Sequence, residues 1–146
     1  MIEIPAAVQI RTTIRQGSVY YFCVESFSSD APHFFIVLNH FPIRDETLLL
    51  VCASSQIEKV KWRRRGLTGT VVEIRNGEYV DFAVDSIVDC NTVFVKGVDE
   101  LISKLEMGNL KAKSCMDTTL VEKLRKAVLK SPLVENSVKN ILRETV

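Results

Sequence analysis

The sequence has almost no net charge: nineteen Lys and Arg stand against eighteen Asp and Glu in 146 residues, leaving a formal +1. A global basic field is excluded, so nucleic-acid binding would have to come from a local patch. Long apolar runs are also missing. No stretch approaches the roughly 20 residues that span a bilayer. Met1-Ile2-Glu3-Ile4-Pro5 has neither the basic start nor the long apolar core of a signal peptide. The expectation is a cytoplasmic protein with no membrane partner. Metal-ligand density is low as well: there are two histidines, and the four cysteines, Cys23, Cys52, Cys90 and Cys115, form no CxxC pair. No metal and no cofactor is expected. Three of the cysteines lie in strongly apolar runs and are read as buried free thiols. Internal repeats and low-complexity segments are absent from the sequence.

What is present is ordinary globular composition, 47% hydrophobic and 25% charged. A chain of this size suits one domain, residues 1–146, that buries roughly 70% of its unfolded surface. After Gly17, the run Ser18-Val19-Tyr20-Tyr21-Phe22-Cys23-Val24 is rich in aromatic and β-branched residues, and Ser28-Ser29-Asp30-Ala31-Pro32 reads as a loop. Phe34-Phe35-Ile36-Val37-Leu38 and Thr47-Leu48-Leu49-Leu50-Val51-Cys52-Ala53 follow. None of these three runs alternates with polar residues, which predicts strands covered on both faces, as in the wall of a small barrel. Val72 and Ile74 flank Glu73, and Val80, Phe82 and Val84 alternate with polar or small residues. Asn76-Gly77 between them predicts a two-residue type I′ hairpin. A last strand is expected over about residues 87–95.

The period then changes from two to about 3.6. Leu101, Ile102 and Leu105 form a helical stripe, with Asp99 as expected N-cap and Gly108 as expected stop. Thr119-Leu120-Val121-Glu122 fits a capping box, and Ser131-Pro132 predicts a further helix start. Its apolar positions are Val134, Val138, Ile141 and Leu142. The stripe along residues 120–142 reads as core or dimer packing, or as a face for another helix. The fold class expected is mainly β with C-terminal helices: strands over about residues 17–95, short helices over about 98–146.

Five segments occur in a telling order: Gly17-Ser18-Val19-Tyr20-Tyr21, Phe35-Ile36-Val37-Leu38-Asn39, Val51-Cys52-Ala53-Ser54-Ser55-Gln56, Ser86-Ile87-Val88-Asp89-Cys90, and residues 101–110 with Gly108-Asn109-Leu110. Their series, over roughly residues 17–129, resembles the MazF/PemK/Kid toxins of toxin-antitoxin systems. The resemblance implies a small SH3-like β-barrel, a homodimer and an antitoxin protein as partner. It also implies metal-independent endoribonuclease action on single-stranded RNA, by attack of the ribose 2′-hydroxyl on the adjacent phosphate.

That cleavage needs a base, an acid and a cation near the phosphorane. The family places an arginine just before the second strand, where this chain has His33. Histidine can act as acid or base near neutral pH, but it lacks the permanent fork of arginine. Ser54 matches the Thr/Ser of the third-strand motif and is the second candidate catalytic residue, with Ser55 and Gln56 lining the same cleft. The bland counterparts are a loop-edge histidine and strand-end turn chemistry. Where some members carry Arg-Cys-Asp, this chain has Asp89-Cys90-Asn91, and Asn91 cannot serve as a base. The family's following Arg-Thr-Ile-Asp segment is replaced by Phe94-Val95-Lys96-Gly97-Val98.

Lys59, Lys61, Arg63, Arg64 and Arg65 crowd the segment after Gln56, with Trp62 among them. Cations neutralise phosphates and an indole stacks on an unpaired base, so these six are candidate RNA contacts. Their bland reading is a solvated charged loop with Trp62 anchored on the barrel. Two functions follow: an endoribonuclease toxin, or a catalytically inactive barrel that binds RNA or a protein.

Overall fold

The computed structural model describes residues 3–24 and 31–144. The expected loop at Ser28-Ser29-Asp30 therefore lies outside the described residues. The three apolar runs form β1 (Val19–Phe22), β2 (His33–Val37) and β3 (Thr47–Ser54), each antiparallel to the next. Gly17 precedes β1 at φ 91°, and a Cβ there would lie 3.1 Å from the Met116 carbonyl oxygen, so the position requires glycine. Successive residues of these strands enter two different cores, which is why no polar alternation appears in them. Val19, Ile36, Leu49 and Val51 join one cluster; Tyr20, Phe35, Val37, Leu48 and Leu50 join the other.

β4 (Val71–Ile74) and β5 (Ser86–Asp89) pair antiparallel, and β5 adds to the end of β3 through Ala53 and Ser54. β6 (Phe94–Gly97) pairs with the start of β3, from Thr47 to Leu50. Among the described residues this gives a seven-stranded sheet in the order β4-β5-β3-β2-β1-β7, with β6 also on β3. β7 (Leu110–Lys113), antiparallel to β1, lies among the later helices, and its short run was not expected as a strand.

The single strand expected over residues 87–95 is broken into β5 and β6. The Asp89 carboxylate accepts the Asn91 backbone N–H at 3.1 Å, turning the chain out of the ladder at Asn91. The hairpin expectation also needs correction. Gly77 turns the chain at φ 98°, and the Glu78 N–H bonds the Arg75 carbonyl at 3.0 Å. Asn76 does not adopt positive φ, so the turn is not type I′. Residues 80–84 are irregular, and β4 joins β5 through residues 75–85. Aromatic burial overrides the alternation here. Tyr79 and Phe82 enter the core, leaving Val80 and Val84 exposed. The Tyr79 hydroxyl donates to the Ser114 carbonyl at 2.5 Å, and Asp81 accepts the Ser114 N–H at 2.8 Å.

α1 (Ala6–Thr13) and α4 (Val98–Glu106) cover the second core through Ile10, Leu101 and Ile102. α5 (Thr118–Lys130) and α6 (Asn136–Arg143) cover the first through Leu120, Leu124, Val128 and Leu142. α2 (Pro42–Asp45) is a single turn before β3, and α3 (Ile57–Arg63) links β3 to β4. α1, α2 and α3 were not expected. The expected caps shift. α4 is capped at Gly97, with Asp99 in its first turn, and α5 at Asp117, whose side chain accepts the Thr119 N–H. Ser131 ends α5 and does not start α6, because its hydroxyl accepts the Leu133 N–H at 3.1 Å in a local turn. Gly108 ends α4 as expected, at φ 74°. The cysteines carry no disulfide among the described residues, and only Cys90 is buried; Cys23 and Cys115 are exposed and Cys52 is intermediate.

Candidate functional site

β2 and β3 pair from Phe35↔Cys52 to Val37↔Leu50, and His33 and Ser54 each lie two residues beyond the first of these pairs, at the start of β2 and the end of β3. His33 pairs with Phe22, while Ser54 pairs with Ile87 and Ile87 with Glu73 in one cross-strand row. By strand alternation His33 falls on the face of Phe35 and Ser54 on that of Cys52, the same face of the sheet. The Ser54 hydroxyl accepts the Gln56 N–H at 3.1 Å, the turn chemistry that leads into α3. Burial, and secondarily Asp89, push the pKa of the Cys52 thiol, on the same face, up to about 12.

Beside this row lies an open groove of about 730 Å³. Ser55, Gln56 and Lys59 line it, together with Glu73, Arg75 and Asp85. Both signs of charge therefore meet in it. The last three were not singled out from the sequence, because only β4-β5 pairing brings residues 73–86 opposite α3.

The basic segment is a helix and its C-terminal turn, not a solvated loop. Several of its charges are already paired. Lys61 bonds Glu73. Arg64 Nε donates to Asp89 Oδ2 at 2.9 Å and Arg63 approaches the same oxygen at 3.4 Å. Trp62 is not anchored on the sheet; it is 68% exposed. The Arg65 guanidinium lies 3.7 Å from the indole centroid and donates to the Trp62 carbonyl at 2.8 Å, which holds the two together.

Asp89 and Asn91 are structural. The Asn91 amide, nearly buried, donates to Thr70 Oγ1 and to Asp89 Oδ1, both at 2.9 Å, and its oxygen accepts the Ser131 hydroxyl at 2.6 Å. One side chain thereby ties β5, the start of β4 and the end of α5. Burial pushes the Asp89 carboxyl up, but hydrogen bonds from Asn91 and Arg64 and the Arg64 charge outweigh it and hold it below the usual range. Thr70 and Ser131 were missed in the sequence; the Asp-x-Asn spacing at residues 89–91 was the available signal of a side-chain-locked turn.

Among the described residues, no group of three or more His, Cys, Asp or Glu is placed to hold a metal ion, and no helix is long and apolar enough to cross a membrane. No protein-family model and no curated protein matches this chain.

Proposed function

We propose that this chain is a MazF/PemK-like barrel that binds single-stranded RNA along α3, with a base stacked at Trp62 and phosphates met by Lys59, Arg63 and Arg65. One observation carries the reading: an indole 68% exposed and braced by a guanidinium at 3.7 Å. A large aromatic face in water is a stacking platform that any base can use, and adjacent cations neutralise the backbone. The SH3-like barrel is supported by β3, which pairs with β2 on one side and with both β5 and β6 on the other, an arrangement that curls a sheet. The resemblance supplies the rest of the proposal: a cytoplasmic homodimer held by an antitoxin protein.

Fluorescence anisotropy with a labelled single-stranded RNA tests the binding. Trp62→Ala is expected to weaken it by about 1–3 kcal/mol, and Lys59→Ala with Arg65→Ala to flatten its salt dependence. Unchanged affinity in all three variants would remove the α3 face from the reading.

A second reading, metal-independent endoribonuclease toxin, is favoured by His33 and Ser54 standing on one sheet face, at the start of β2 and the end of β3. Purified protein should then cut varied RNAs in EDTA, with His33→Ala and Ser54→Ala losing activity. RNAs left intact under those conditions drop the enzyme and leave the binding module, whose chemistry is independent of Asp89 and Asn91 acting as a dyad.

A further inference from the structure

Arg63 and Arg64 share one acceptor. Asp89 Oδ1 is held by the Asn91 N–H and side-chain amide, at 3.1 and 2.9 Å, so only Oδ2 faces the two guanidinium groups. Each guanidinium carries five N–H donors in a fixed fork. Arg64 spends its fork well: it is largely covered, donates to Oδ2 at 2.9 Å and to Thr92 Oγ1 at 3.3 Å. Arg63 does not. Its side chain is 51% exposed, and its one ion pair among the described residues is at 3.4 Å. Two cations against one carboxylate leave a local charge of +1, in a place where a single oxygen cannot satisfy both forks. The site lies at the C-terminal turn of α3, next to the Trp62–Arg65 stack.

We propose that Arg63 and Arg64 form a phosphate site whose resident anion is Asp89, and that an incoming phosphate takes Arg63 from Asp89 while Arg64 stays bound to it. Arg64 then serves as the fixed wall of the site and Arg63 as its movable arm. The carboxylate is a built-in competitor: it keeps the arginines from binding weak anions and sets a threshold that a polyanion exceeds. A phosphodiester oxygen pair matches the fork of Arg63 in two parallel bonds, which one distant carboxylate oxygen does not. This rests on the RNA reading for the identity of the natural anion, but the site itself is tested without RNA.

The probe for the site is inorganic pyrophosphate, followed through the arginine Nε–Hε resonances of the ¹⁵N-labelled full chain, with Arg63→Lys identifying the Arg63 signal. Titration should shift the Arg63 signal and leave that of Arg64 nearly in place; movement of neither, or of Arg64 alone, overturns the proposal. Asp89→Asn should tighten pyrophosphate several-fold, and the gain should vanish in Asp89→Asn/Arg63→Ala. Equal or weaker binding by a folded Asp89→Asn chain also overturns it. Should that variant fail to fold, the wild-type titration alone decides. With RNA in place of pyrophosphate, Asp89→Asn should raise affinity by a similar factor while the slope of log K against log salt stays nearly unchanged, because Arg63 meets the phosphate in both chains. A pyrophosphate response without RNA affinity would retain the anion site and sink the RNA reading.

Discussion

Asn91 shows how a single side chain replaces many weaker contacts. Its amide reaches Thr70, Asp89 and Ser131 at 2.6–2.9 Å from within the protein, so truncation strands three partners in a dry environment. Asn91→Ala is expected to lower the unfolding free energy by about 2–4 kcal/mol. Urea denaturation checks it, and a midpoint equal to wild type would mean the network holds nothing together. Asp89 adds a pH dependence of definite sign. Its folded pKa is held low by Asn91 and Arg64 against the upward push of burial. The stabilisation is complete above the ordinary aspartate value of about 3.9 and is lost as pH falls below it, through the lowered folded pKa. Between about pH 6 and pH 3, the urea midpoint should fall more steeply for wild type than for Asp89→Asn. Parallel curves would place the acid sensitivity elsewhere.

Elements are ended here by backbone geometry more than by side-chain caps. Gly108 closes α4 with the Asn109 N–H on Lys104 O at 2.8 Å and its own N–H on Leu105 O at 3.0 Å, a Schellman ending with open space around its Cα. Gly17 combines the same left-handed strain with a close approach to Met116 O and to the Val121 side chain. The two substitutions should therefore separate. Gly108→Ala is expected to cost about 1 kcal/mol, and Gly17→Ala about twice that or more. Thermal or urea melts of both decide it; equal losses would mean that strain alone, without the carbonyl contact, sets the cost. α3 matters for the opposite reason. As a helix it places Lys61 on Glu73 and Arg63 and Arg64 on Asp89, so the charges that crowd in the sequence are distributed over separate partners in space.

Across the whole molecule, the last helix belongs to the folding unit. Leu142 is fully buried in the first core, Arg125 donates to the Leu142 carbonyl at 2.9 Å, and Arg44 bonds Glu144 from the turn before β3. Leu142→Ala should cost about 2–5 kcal/mol. Because the core is continuous with Val51 and Val88, Trp62 fluorescence and far-ultraviolet dichroism should report one shifted transition. Two separated transitions would make α6 an independent appendage. Leu133→Ala, at an exposed position, serves as the near-neutral control.

The sequence by itself determined the three apolar strands, the change of period after residue 97, the stop at Gly108 and the chemistry on offer in residues 54–65. These depend on local pattern and on burial of both strand faces, and both are written in composition. It did not determine that residues 80–84 are irregular and form no strand, because burying Tyr79 and Phe82 outweighed alternation there. Nor did it determine the break between β5 and β6, which needs Asn91 to meet Thr70 and Ser131 from distant parts of the chain. β7 escaped notice because Leu110-Lys111-Ala112-Lys113 has a strand's role only when β1 lies beside it. Only the tertiary structure decided which cations are spent and which face water. Pairing across β4 and β5 is a long-range event, and it leaves Trp62 and Arg65 exposed while Asp89 holds Arg64.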